Sequence, residues 1–179
     1  MPERPGSEQP GSEQPGPERP GAGEPGQARP GQPEADVGWL REAIELSRRC
    51  PAAPSAFSVG AVLVSEAGRL IATGHSRELD PKDHAEEVAL ARAAGDPLLA
   101  GATLYSSLEP CLARASRPRS CAQLVIAAGI PRVVVAWLEP PLFTGGRGAG
   151  MLRRAGVTVV EIPWLAELAR SVNAHLFPG

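Results

Sequence analysis

A chain of 179 residues with 42% apolar residues is long enough for one domain with a real core, and aromatics at only 4% make that core aliphatic and alanine-rich. The net charge is −2, and residues 1–35 hold six acids and three bases, which leaves 14 acids and 15 bases in the remainder. A body so nearly neutral excludes an extended nucleic-acid surface, and three cysteines do not form a disulfide framework.

Residues 5–34 read as a pentapeptide array, PGSEQ, PGSEQ, PGPER, PGAGE, PGQAR and PGQPE. Such a stretch buries too little apolar surface to offset its ordering entropy, so residues 1–35 are expected to be a disordered tail. The folded domain is expected over 36–179. Asp36 is read as the N-cap of a first helix, in which Trp39, Leu40, Ala43, Ile44 and Ser47 recur at helical spacing up to Pro51. Val59 to Val64 and Leu70 to Gly74 read as a hairpin about Glu66-Ala67-Gly68. A polar loop runs to Asp83, a second helix from His84 to Gly95, and a third strand over 102–106. A basic loop covers Glu109 to Arg119. Ser120 caps a third helix over Cys121 to Ala128, closed by Gly129. A fourth strand (133–137), a Pro/Gly-rich loop (139–148), a short helix (148–155), a fifth strand (157–162) and a last helix from Trp164 to Leu176 complete the chain. This alternation predicts an α/β fold of three layers, α/β/α, with a mixed five-stranded sheet flanked by helices and its last two strands parallel. No apolar run crosses a bilayer and no secretory signal precedes the body, so a soluble cytoplasmic protein without membrane contact is expected.

Two segments carry chemistry. Asp83-His84-Ala85-Glu86-Glu87 opens the second helix, and Ser106-Ser107-Leu108-Glu109-Pro110-Cys111 leads through a loop to Ser120-Cys121. His84, Cys111 and Cys121 form a ligand set that suits Zn²⁺, with a fourth position left for water. Cys121 sits in a first helical turn, where a thiolate is favoured. Glu86, two residues from His84, is the expected catalytic proton carrier. An imidazole, two thiolates and a non-ligand glutamate are the apparatus of the zinc deaminases. The alternative is a structural site with Cys50 or His75 as fourth ligand, which leaves Glu86 unexplained.

From Asp36 to Leu176 the chain resembles the cytidine-deaminase-like superfamily, through His84-Ala85-Glu86, Leu108-Glu109-Pro110-Cys111, Cys121 and the supporting Val59-Gly60-Ala61-Val62. The resemblance implies a five-stranded sheet, one zinc and a homo-oligomer, a dimer or tetramer. Within the superfamily, the ten-residue step from Cys111 to Cys121 is similar to the pyrimidine deaminase of riboflavin biosynthesis. So are the segments 127–134 and 146–157. That family deaminates a diamino-ribosylamino-pyrimidinone phosphate and is often fused to a reductase. The sequence runs to Gly179 without a reductase segment, so a reductase is expected to be a separate protein. Ala56-Phe57 replaces that family's Asn-Pro pair, and Phe57 to Ala61 and Ser76-Arg77-Glu78 are closer to cytidine and deoxycytidylate deaminases.

The expected function is therefore zinc-dependent hydrolytic deamination of an aminopyrimidine nucleotide. The riboflavin intermediate comes first and a deoxycytidylate or cytidine substrate second. A catalytically dead zinc module and a nucleic-acid editor are the other classes, and the second conflicts with the neutral body and the scarcity of aromatics. Arg117 and Arg119, in the loop between the two cysteines, are expected to meet a substrate phosphate. Lys82 and His75 are expected to line the same pocket.

Overall fold

A computed structural model describes residues 32–138 and 148–177. The repeat tail up to Gly31 and the Pro/Gly-rich loop 139–147 lie outside the described residues. The elements, in chain order, are α1 (Gln32–Ser47), β1 (Gly60–Val64), β2 (Leu70–His75), α2 (Ala85–Arg92), β3 (Thr103–Ser106), α3 (Cys121–Ala127), β4 (Arg132–Val135), α4 (Gly148–Arg154), β5 (Thr158–Glu161) and α5 (Ala166–Val172). Single 3₁₀ turns occupy Pro97–Gly101, Pro163–Leu165 and Ala174–Leu176.

The five strands form one mixed sheet in the order β2-β1-β3-β4-β5. β1 is antiparallel to both β2 and β3, while β3, β4 and β5 run parallel. Val62, Leu63, Leu104, Val133, Val134 and Val135 are fully buried, as strands covered on both faces require. Two glycines locate the layers. A Cβ on Gly60 would strike the Ala43 carbonyl of α1, and one on Gly74 would lie 2.5 Å from the Ala85 carbonyl of α2. Gly74 pairs with Ala61, the neighbour of Gly60. Side chains alternate across a strand, so α1 and α2 press on opposite faces. α5 packs with α1, whereas α3 packs with α2 and α4.

The registers bring Gly60, His75, Ser106 and Val135 to one end of the sheet. That end is the carboxyl edge of β2, β3 and β4, where α/β folds place their ligands. Serines close it. The Gly60 N–H donates to Ser107 Oγ at 3.1 Å and the Val59 N–H to Ser76 Oγ at 3.2 Å.

Two local expectations are corrected and one turn is added. α1 begins at Gln32, so Asp36 is not an N-cap but a residue of the first helical turns. Its buried carboxylate takes both Arg132 Nη1 (2.9 Å) and Nη2 (2.6 Å) and accepts the Tyr105 hydroxyl at 2.8 Å. The N-cap pattern and a buried bidentate pair look alike in sequence, because both place Asp ahead of an apolar helix. The final helix is broken at Asn173. Its buried amide donates to the Ser58 carbonyl and to the Ala169 carbonyl at 3.1 Å each, and its Oδ1 accepts the Ser58 N–H at 2.7 Å. The side chain thus takes a helical carbonyl and ties α5 to the start of β1, and the chain continues in a 3₁₀ turn. The turn over Pro97–Gly101, which periodicity does not reveal, follows Asp96, whose carboxylate accepts the Leu98 N–H at 2.9 Å.

Asp36→Ala leaves Arg132 inside the fold without its counter-charge. The variant should lose about 2–3 kcal/mol, toward the low end for a buried pair because Arg132 keeps some exposure. Urea unfolding checks this: the midpoint should fall at an unchanged slope, and a change under about 0.5 kcal/mol would show the pair to be dispensable.

Candidate active site

His84 stands at the N-cap of α2. Its backbone is extended and its carbonyl accepts the Val88 N–H at 3.1 Å. Cys121 opens α3, behind Ser120, whose hydroxyl accepts the Gln123 N–H at 3.3 Å while the Gln123 side chain returns to the Ser120 N–H at 2.9 Å. This reciprocal cap fixes the first turn of α3. Cys111 follows β3 through an extended Leu108-Glu109-Pro110. The Glu109 N–H donates to the Trp137 carbonyl at 2.8 Å, and its carboxylate accepts the Ala149 N–H at 2.6 Å, which joins the segment to the start of α4. Gly148 passes so close to the Pro110 carbonyl that no Cβ fits there.

These three segments bring one nitrogen and two sulfurs together. The ligand atoms of His84, Cys111 and Cys121 all lie within 4.8 Å of one another. His84 Nδ1 is 3.7 Å from Cys111 Sγ and 3.4 Å from Cys121 Sγ. A tetrahedral zinc with Zn–S of about 2.3 Å and Zn–N of about 2.0–2.1 Å has an N-to-S edge of roughly 3.6 Å, so these residues fit the ion. The Cys121 N–H also donates to Cys111 Sγ at 3.3 Å. The Cys111 thiol is pushed down to about 4, chiefly by a hydrogen bond from the Cys121 thiol, which with the His84 imidazole and the Cys121 N–H outweighs burial. Cys121 moves up in response, since Cys111 and burial both oppose a second negative sulfur. The cluster thus concentrates negative charge where a cation would sit.

Glu86 lies two residues along α2 from His84, is 3% exposed, and accepts the Ser106 hydroxyl at 3.3 Å. Burial raises its pKa. A cavity of about 370 Å³ opens onto this group, bounded by His84, Glu86, Cys111, Phe57, Lys82 and Arg114 among others. It has the size and mixed lining of a small-molecule site.

The remaining expected residues are distributed unevenly. Lys82 lines the cavity; His75, Arg117 and Arg119 do not. Arg117 reaches instead to Asp80 (3.3 Å), Asp83 (3.2 Å) and Glu87 (3.4 Å), and so pins the loop before His84 to the loop after Cys111. Arg119 is exposed, and its carbonyl accepts Arg114 Nε at 3.1 Å. His75 is turned to its neighbours, with Nδ1 3.2 Å from the Ser76 carbonyl and Nε2 3.9 Å from Glu78. Cys50 sits apart from the ligand group, its thiol 3.4 Å from the Val59 carbonyl. Two features of the site have no clear sequence signal. Arg114 looks like any other cation of a basic loop. Phe57 itself stands out in the sequence, but its edge-on contact with Trp137 at 5.6 Å, between residues far apart in the chain, does not.

Residues 33–137, well over half of the chain, match the family described as the cytidine and deoxycytidylate deaminase zinc-binding region. The diaminohydroxyphosphoribosylamino-pyrimidine deaminase of Schizosaccharomyces pombe is 37% identical over 126 residues, covering 69% of this chain and 31% of its own. The chain spans about a third of the length of the curated relatives it matches. Among solved structures, RibD of Acinetobacter baumannii (form 2) has a TM-score of 0.69 at 33% identity, over 81% of this chain and 40% of that one. The Rib2 deaminase of Aspergillus oryzae (C-terminal deletion mutant, pH 6.5) has a TM-score of 0.68 at 27% identity, over 76% and 89%. With its mixed five-stranded sheet and its histidine and two cysteines gathered at the sheet's edge, the chain belongs to the cytidine and deoxycytidylate deaminase family.

Proposed function

We propose that this protein is a zinc-dependent hydrolytic deaminase of an aminopyrimidine nucleotide, with His84, Cys111 and Cys121 as metal ligands and Glu86 as the catalytic acid and base. One observation carries the reading: a buried, non-ligand carboxylate borders the same cavity as His84 and Cys111, two of the three clustered ligand residues. A structural zinc site has no use for such a group, and a fourth protein ligand is absent from the cluster among the described residues.

Zinc supplies the Lewis acidity that makes water a nucleophile at neutral pH. The rest is the work of the chain. In the overall reaction the oxygen of water bonds to the ring carbon bearing the amino group and the carbon–nitrogen bond breaks; one of water's two protons ends on the ring nitrogen and the other on the amino nitrogen, which leaves as ammonia. Glu86 takes a proton from water and returns it to the substrate nitrogens, and the Ser106 hydroxyl holds its carboxylate in place. The apolar Val59, Phe57 and Leu108 surfaces of the cavity receive the flat ring and exclude bulk water.

The substrate that the relatives' names favour is the diaminopyrimidine ribonucleotide of riboflavin biosynthesis. A second reading, a deoxycytidylate-type substrate, is favoured by Phe57, which lines the cavity where the riboflavin family carries its Asn-Pro pair.

Purified, zinc-loaded protein should release ammonia from the diaminopyrimidine ribonucleotide faster than from deoxycytidylate, cytidine or guanine nucleotides. Faster release from deoxycytidylate would move the assignment to the second reading, and no release from any of them would reject a deaminase. Glu86→Gln should lower kcat by about 10²–10⁴-fold while one zinc per chain is retained. A variant that keeps most of its activity would remove Glu86 from the mechanism.

A further inference from the structure

Three aromatic rings meet beside the cavity. Phe57 lines it. Trp137 meets Phe57 edge-on at 5.6 Å, and Phe177 lies 6.3 Å from Phe57 and 5.7 Å from Trp137. At these separations aromatic rings attract one another. Arg170, in α5, sets its guanidinium carbon 5.2 Å over the Trp137 ring. Arg170, Asn173 and Phe177 thus converge on Trp137, Ser58 and Phe57. All three follow the residues 33–137 that match the deaminase family, and none of them lines the cavity.

The backbone that carries Phe57 is fixed by other contacts. Arg77 Nη1 donates to the Phe57 carbonyl at 2.8 Å, and Nη2 donates to the Ser58 hydroxyl at 3.0 Å. Asn173 accepts the Ser58 N–H and donates its amide to the Ser58 carbonyl. Trp137 is fixed too. It is buried, and its carbonyl accepts the N–H of Glu109, two residues before Cys111. These contacts leave one thing open, the orientation of the half-buried Phe57 ring about its side-chain torsions. Phe177 bears on that ring and on Trp137 together. Its own backbone is held by the 3₁₀ turn before it, where the Phe177 N–H donates to the Ala174 carbonyl at 3.1 Å.

We infer that Phe177 is a positioning residue for the substrate ring: it holds the Phe57 ring against Trp137 and keeps the aromatic wall of the cavity ordered before substrate arrives. This rests on the reading above, in which the cavity receives a pyrimidine. Phe177 touches no reacting atom and acts through Phe57. A ring held in advance loses less freedom when a ligand packs on it, so Phe177 contributes to affinity and not to the chemical step. Asn173 and Arg77 fix the same wall through its backbone, and Phe177 fixes it through its side chain.

The test uses the full-length, zinc-loaded protein in the Glu86→Gln background, so that the diaminopyrimidine ribonucleotide and deoxycytidylate bind without turnover. Calorimetry gives the affinity for each. For the nucleotide that binds more tightly, Phe177→Ala should weaken binding about 3- to 10-fold, the range expected of one aromatic contact. Phe177→Tyr, which keeps the ring at this partly exposed position, should stay within about twofold. In a Phe57→Ala chain, Phe177→Ala should weaken binding less than about 1.5-fold, because the ring it acts through is gone. Leucine serves at either position where alanine does not fold. With Glu86 intact, Phe177→Ala should raise KM and leave kcat within about twofold. Four results would overturn the inference: an unchanged affinity in Phe177→Ala, an equal loss with and without the Phe57 ring, a loss confined to kcat, or no measurable binding of either nucleotide. Uncoupled binding alongside normal ammonia release sinks this inference alone. Coupled binding without ammonia release from any pyrimidine nucleotide sinks the deaminase reading alone.

Discussion

One imidazole and two thiols, separated by as many as 37 residues, must reach a single point at the edge of the sheet. Most of the site can be understood as the means to that end. β3 delivers the segment that holds Cys111, and the N-termini of α2 and α3 deliver His84 and Cys121. The strand order places those helices side by side on one face. Helix starts are a sound choice for the task. A cap position fixes the backbone of the ligand, and unpaired N–H groups favour a nearby thiolate, as the Cys121 N–H does for Cys111 Sγ. Glycines at 60 and 74 let α1 and α2 sit directly on the strands, so the three clustered side chains inherit the rigidity of the core.

Around that point, charge is used for position. Glu87 accepts from both Arg114 and Arg117, while Asp80 and Asp83 take the rest of Arg117. The result joins two irregular loops that have no strand or helix of their own. Burial opposes ionisation of Glu87, yet the hydrogen bond and charge of Arg114 hold its carboxyl below the ordinary range. Exposed pairs of this kind are worth little singly, and Arg114, almost fully buried, is the member that gives the network its geometry. Glu109 has an equivalent role on the other side of Cys111, where it joins that segment to α4.

Much of this was legible in the residues. Alternating apolar runs and helical spacing located all five strands. Ser120 and Gly129 bracket α3 as capping rules require. That His84, Cys111 and Cys121 would meet was readable because an imidazole and two thiols at element boundaries form a set that suits a metal, and their ligand atoms do come together. What sequence did not carry is long-range pairing between ordinary residues. Asp36 finds Arg132 across 96 positions, and Asn173 finds Ser58 across 115. Nothing local distinguishes either from a helix cap or a helix interior. The three arginines of the 112–119 loop show the same limit. Their charge was visible and their partners were not, so Arg117 and Arg119 stood out while Arg114, the one that lines the cavity, did not.

The claim on which the account turns is that zinc is held by three protein ligands, with its fourth position open. X-ray absorption at the zinc edge of the purified protein measures this directly. The account predicts one zinc per chain with two sulfurs at about 2.3 Å and two lighter atoms at about 2.0–2.1 Å, one from His84 and one from solvent. A third sulfur, which among the three cysteines has to come from Cys50, or the absence of zinc from protein purified without chelators, would contradict it.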